Sequence, residues 1–142
     1  MKPKIKLLIV DDHKVIREAT RILMDTNEDV EFLYTDAENG LEMIEWLQKE
    51  KFDLVVCDIS MPNMTGEEAM IEIEKLKIAH PPIIIRSADI DKAIISRFLK
   101  LGAAAVHAKS LGTQFLFPMY KQVLEGKIFE FEELSALNKS KY

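Results

Sequence analysis

Leu54-Val55-Val56-Cys57-Asp58-Ile59-Ser60-Met61-Pro62-Asn63-Met64-Thr65-Gly66 is the stretch that decides the fold. Four apolar residues run directly into an acid. A run that apolar reads as a strand buried on both faces, the kind a parallel sheet contains. A carboxylate at its C-terminal end sits on the sheet edge where open α/β folds place their ligands. Met61-Pro62, Asn63 and Gly66 then mark a turn and a helix entry. Taken alone, Asp58 is equally well explained as a turn residue, because Asp is common in turns. The flanking chain separates the two readings.

Working outward, Lys6–Val10 is a second apolar run, and it too ends in acids, Asp11 and Asp12. Val15, Ile16, Ala19, Ile22 and Leu23 recur behind it at helical spacing and predict an amphipathic helix over 13–26, with Asp12 a candidate N-cap. Residues 30–34 alternate as a strand. Asn39-Gly40 leads into a helix with Leu41, Ile44 and Leu47 on its apolar face. After the central strand, 67–77 is predicted helical, with Ala69, Met70, Ile73 and Leu76 inward. His80-Pro81-Pro82 breaks it, and Ile83-Ile84-Ile85-Arg86-Ser87 follows as another buried strand ending in a hydroxyl. A helix over 91–101 stops at Gly102, a short strand over 103–108 ends in Lys109, and 113–125 is a last helix ended by Gly126. Five strands alternating with five helices over short links predict βαβ units: an α/β, doubly wound parallel sheet covered on both faces.

The composition agrees with one ordinary domain. The chain has 142 residues, 48% hydrophobic and 30% charged, a globular balance. A net charge of −5 without a basic block argues against direct nucleic-acid binding by this domain. The single cysteine, Cys57, lies inside the apolar run, which points to a core thiol in a reducing cytoplasmic protein. No segment has the length of a membrane span, and the N-terminal apolar run is too short for a secretion signal.

In such a sheet the strand C-termini share one edge. Four of the five predicted strands end there in chemically useful side chains: Asp11 with Asp12, Asp58, Ser87 and Lys109. If the first and third strands are neighbours where the winding reverses, three carboxylates converge. Charges of one sign that close raise a pKa unless a cation intervenes. Mg²⁺ suits oxygen donors of this kind, with one or two carboxylates and a phosphate in its shell. A hydroxyl from Ser87 and an ammonium from Lys109 complete a set able to hold a phosphoryl group around a nucleophilic aspartate. Each residue has a blander role as cap, backbone partner or solvated charge; their joint arrival at strand ends favours the site.

With these motifs in place, residues 4–126 resemble the receiver domain of two-component response regulators, of the chemotaxis-regulator kind. The matching features are Asp11-Asp12, Asp58-x-x-Met61-Pro62-x-Met64-x-Gly66, Ser87-Ala88, and Gly102-Ala103 with Lys109. The resemblance implies a flavodoxin-like sheet in the order 2-1-3-4-5. It implies Asp58 as phosphoacceptor and Mg²⁺ held by Asp11, Asp12, Asp58 and the Ser60 backbone carbonyl. Ser87, the Ala88 N–H and Lys109 are then the phosphoryl-binding and switch groups. The expected donor is a histidine kinase or a phosphotransfer protein, and the expected output a downstream effector or output domain. Such a domain is no enzyme beyond its own phosphorylation and dephosphorylation. The resemblance places a receiver over 1–126 and a C-terminal extension of the last helix, or the start of a linker to an output domain, over 127–142.

Three departures fall on the output side. Val106 replaces the usual aromatic switch three residues before the lysine. Lys109-Ser110 replaces Lys-Pro, so a trans bond is expected, a cis bond without proline costing about 2.5–4 kcal/mol. Pro118 falls inside the last helix, which should kink it or delay its start. The family's usual dimer or partner face, made by the fourth helix, fifth strand and fifth helix, is accordingly in question, and a homodimer stays open. Two other readings compete: a degenerate receiver acting as a phosphorylation-independent binding module, and an aspartyl-phosphate phosphatase of the haloacid dehalogenase kind. The latter wants an acid two residues after the nucleophile, where Ser60 stands.

Overall fold

The computed structural model describes residues 2–59, 61, 63–88, 90–109 and 116–139; of 116 and 139 it describes the backbone alone. The chain runs β1 (Lys4–Val10), α1 (Lys14–Met24), β2 (Glu31–Ala37), α2 (Gly40–Lys49), β3 (Leu54–Asp58), α3 (Gly66–Lys75), β4 (Ile83–Ser87), α4 (Lys92–Lys100), β5 (Ala105–Ala108), α5 (Leu116–Leu124) and α6 (Phe131–Lys139). The strands form one parallel sheet in the order β2-β1-β3-β4-β5, as expected. The winding reverses between β1 and β3, so right-handed crossovers put α1 on one face and α2, α3 and α4 on the other. Phe117 of α5 packs edge-on against Phe32 of β2, and Lys121 reaches Asp29, so α5 shares the face of α1.

Helices on both faces explain why the inner strands lack alternation. Leu7 to Val10, Leu54 to Cys57 and Ile83 to Ile85 are all buried. β2, at the sheet edge, is longer than expected and carries Asp36 near its end. Arg17 and Arg21 of α1 both bind that carboxylate.

α1 is turned relative to the apolar stripe expected for it. Arg17, Thr20 and Met24 are buried, whereas Val15 and Ile22 are exposed. The cause is polar. Arg17 turns inward to serve Asp11 and Asp36, and the Thr20 hydroxyl donates to the Ile16 carbonyl. Asp12 does not cap this helix: His13 holds the N-cap position, without a side-chain cap bond. On α2 and α3 the inward faces hold, except that Leu41 and Leu76 at their ends are exposed.

The C-terminal segment differs from the expected five-helix count. α5 is described over Leu116–Leu124 and contains Pro118; the start expected for this helix at 113, and with it the expected effect of Pro118 on that start, lies outside the described residues. Gly126, at φ 101°, turns the chain out of α5, and α6 follows as a separate helix rather than as its continuation. α6 packs against α4 and β5, with Phe129 and Leu134 buried. The segment also bonds the free edge of β5. The Ala104 carbonyl accepts from the Phe129 N–H at 2.9 Å. The Asn138 amide accepts from the Ala108 N–H at 2.7 Å and donates to the Val106 carbonyl at 3.1 Å. An edge that could template another strand is thereby closed from within the chain.

Candidate functional site

The site is assembled from the strand ends. Asp11 follows β1 and is held by its own backbone: its N–H donates to the Ala37 carbonyl at 3.0 Å, and its carbonyl accepts from Arg17 Nη1 at 2.7 Å. Asp58 ends β3, which lies beside β1. Both carboxylates are buried. Lys109 follows β5, and its backbone N–H donates to the Ser87 carbonyl at 2.7 Å. Its ammonium sits between the two acids, 3.2 Å from Asp11 Oδ2 and 3.0 Å from Asp58 Oδ1. One cation therefore joins three strands.

Gly66 explains part of the motif after Asp58. A Cβ there would lie 2.6 Å from the Asp58 carbonyl oxygen and 3.3 Å from Cys57 Sγ. Only glycine lets the start of α3 press against the end of β3, where the Gly66 N–H also donates to the Ile59 carbonyl at 2.9 Å. Thr65 and Glu68 form a reciprocal capping box that fixes the start of α3.

Burial is the largest influence on Asp58 and pushes its pKa up; Lys109 opposes that shift, and neighbouring Asp11 adds to it. Asp11 and Asp58 share the one ammonium of Lys109, two carboxylates to one cation, and Asp12 stands beside Asp11 and His13. Asp12 Oδ1 is a buried oxygen with no hydrogen bond among the described residues. His13 Nδ1 lies 3.0 Å away, close enough for attraction but without hydrogen-bond alignment. Asp11, Asp12 and His13 each bring a ligand atom within 4.8 Å of the others. An unbonded buried carboxylate oxygen in an acid-rich corner fits a hard divalent cation such as Mg²⁺.

The other expected residues fall as follows. Ser87 ends β4 in register with Ala108, beside Lys109, and Ala88 follows it, exposed. Val106 is fully buried, so its position is occupied by a small core side chain. Ser60, and with it the expected carbonyl ligand, lies outside the described residues, as does the Lys109–Ser110 bond. Arg17, His13 and Asn138 were not anticipated. Arg17 and Asn138 are polar residues on helix faces that pattern reading assigns to apolar side chains or to solvent. Only the adjacency of His13 to the two acids was a visible signal.

A sequence model of the response regulator receiver domain matches residues 7–121. The transcriptional regulatory protein YdfI of Bacillus subtilis is 32% identical over 124 residues, covering 87% of this chain and 56% of that protein. A protein-glutamate methylesterase/protein-glutamine glutaminase of Methanococcoides burtonii is 37% identical over 112 residues, covering 78% of this chain and 31% of its own length. The chain thus spans about half the length or less of these relatives. Among solved structures, the response regulator domain of Thermotoga maritima CheB is 27% identical with a TM-score of 0.71, covering 87% of this chain and 96% of that one. A LuxR-family response regulator from Aurantimonas, 22% identical, has a TM-score of 0.82 over 97% of both chains and shares the fold. The parallel sheet in the order β2-β1-β3-β4-β5 accords with these matches, and the chain belongs to the response regulator receiver domain family.

Proposed function

We propose that this receiver domain accepts a phosphoryl group on Asp58 from a phosphohistidine, carried by a histidine kinase or a phosphotransfer protein. The observation that carries the reading is the Lys109 ammonium held 3.0 Å from Asp58 and 3.2 Å from Asp11. A buried carboxylate with a raised pKa is a poor nucleophile unless cations keep it ionised. Asp11, Asp12 and Asp58, with the Ser60 backbone carbonyl, would hold Mg²⁺, which supplies charge neutralisation when bound. An Asp58 oxygen attacks phosphorus in line; the phosphorus–nitrogen bond breaks as the phosphorus–oxygen bond forms, and the donor ring, protonated on its other nitrogen, leaves as neutral imidazole. Lys109 offers its ammonium to a phosphoryl oxygen, while the Ser87 hydroxyl and the Ala88 N–H donate to the others. The product is an acyl phosphate whose pull on Lys109 and Ser87 is the signal. The domain acts in the cytoplasm on an effector or output domain and turns over no separate substrate.

The test is intact mass after incubation with Mg²⁺ and acetyl phosphate. One phosphoryl adduct is expected, and it is lost in Asp58→Asn. No adduct with any donor would overturn the proposal in favour of a phosphorylation-independent binding module, and steady release of phosphate from an ester would favour a phosphatase.

A further inference from the structure

We infer that Asn138 is a positioning residue for the phosphoryl site, setting Lys109 through the free edge of β5. The inference rests on the reading of Asp58 as phosphoacceptor. The Asn138 side chain is buried and makes three hydrogen bonds: Oδ1 accepts from the Ala108 N–H at 2.7 Å, and Nδ2 donates to the Val106 carbonyl at 3.1 Å and the Leu134 carbonyl at 2.8 Å. Two of those partners belong to the last turn of strand before Lys109. The primary amide, with its acceptor and donors side by side, reproduces the pairing a neighbouring strand would give.

The consequence is local to the lysine. Ala108 is bonded outward to Asn138, and the next residue is bonded inward, the Lys109 N–H donating to the Ser87 carbonyl at 2.7 Å. The backbone that roots Lys109 is thus held from both sides. Its side chain must reach from there to an ammonium position between Asp11 and Asp58. Charge stabilisation of a transferring phosphoryl group depends on such placement, and a shift on the order of 1 Å in a supporting group is costly. Packing alone does not require an amide here. Leu134, one helical turn earlier on the same face, is fully buried without one, and a buried amide is unfavourable unless its bonds are made. α6 therefore contributes to the site a group that lies beyond the residues matched by the family, which end at 121.

A purely structural role for Asn138, closing an open edge, predicts a different result from positioning, and a double-mutant cycle separates them. The rate of Asp58 labelling by acetyl phosphate at saturating Mg²⁺ is measured in the full chain for wild type, Asn138→Ala, Lys109→Ala and the double variant. Glu132→Ala, exposed on the same helix, serves as control. Positioning through Lys109 predicts that Asn138→Ala slows labelling by about threefold or more, the effect of losing one hydrogen bond of ordinary strength. It also predicts no further slowing once Lys109 is already alanine. Equal slowing in both backgrounds overturns the inference, because the effect then bypasses the lysine even if α6 has come loose. No slowing in either background overturns it too. A wild-type chain that is not labelled, or that is labelled equally in Asp58→Asn, overturns the phosphoacceptor reading itself.

Discussion

His107 makes the stability of this domain depend on pH in a way that can be worked out beforehand. It lies in β5, buried, in register with Arg86 of β4, and neither ring nitrogen has a hydrogen bond among the described residues. Burial, helped by the Arg86 charge, pulls its pKa from 6.5 down to about 3. Between those values the unfolded chain carries a proton on this ring that the folded chain does not. The unfolded state binds more protons, so stability rises with pH in that window and falls as pH drops below 6.5. Each pH unit below 6.5 costs about 1.4 kcal/mol, so lowering the pH from 7 to 5 removes about 2 kcal/mol through this group alone. Asp58 acts in the opposite sense. Its pKa is raised on folding, so the folded chain gains protons as pH falls through that value, and stability rises.

The two contributions separate by difference. Urea unfolding followed by Trp46 fluorescence, at pH 7 and pH 5, is compared for wild type and His107→Leu. Asp58 and the surface groups are common to both chains and cancel. The loss between pH 7 and pH 5 should be about 2 kcal/mol larger in wild type than in the variant. Any overall change in stability caused by the substitution drops out, because the pH-dependence is compared rather than the absolute value. Parallel losses in the two chains would show that His107 takes up its proton in the folded state, and would refute the argument from burial.

Two further substitutions test the site directly. Gly66→Ala places a Cβ 2.6 Å from the Asp58 carbonyl, against backbone that can yield only by moving β3 or α3. It should destabilise by about 1–3 kcal/mol and slow labelling of Asp58; a thermal melt and intact mass check both, and an unchanged melt would contradict the close packing. Lys109→Ala leaves buried Asp11 and Asp58 facing one another without their shared cation. It should cost about 3 kcal/mol in the absence of divalent ions, and Mg²⁺ should restore more stability to the variant than it adds to wild type. Equal Mg²⁺ stabilisation of the two chains would place the ion away from these acids.

The inner strands were legible because burial on both faces turns a strand into an unbroken apolar run, and the residue that ends the run then stands out. Asp11, Asp58, Ser87 and Lys109 were found in that way, and the structure places all four at the same sheet edge. Where a polar side chain points inward, the same method fails. The face of α1 was misjudged because Arg17 and Thr20, not Val15 and Ile22, turn toward the sheet. Such residues are buried by hydrogen bonding to particular partners, and periodicity carries no information about partners. α6 was missed as a packed element for a related reason. Its buried contacts come from Phe129, Leu134 and Asn138, and one of the three is an amide that only the open edge of β5 explains.

β5 gathers these unanticipated features, and together they bear on how a signal leaves the site. Val106 and His107 point to opposite faces of the sheet, both buried, and Asn138 bonds the strand from its edge. A receiver with an aromatic at the position of Val106 can carry a ring between an outward and an inward state. Valine, branched at Cβ and restricted in χ1, has no comparable excursion. His107 is confined by burial. Lys109 follows these residues, and the element bonded from outside the sheet to the strand that bears it is α6. If Asn138 sets Lys109 as inferred above, a change at the strand end passes outward through a hydrogen bond between an amide and the main chain, at the place where the familiar switch would have used an aromatic side chain.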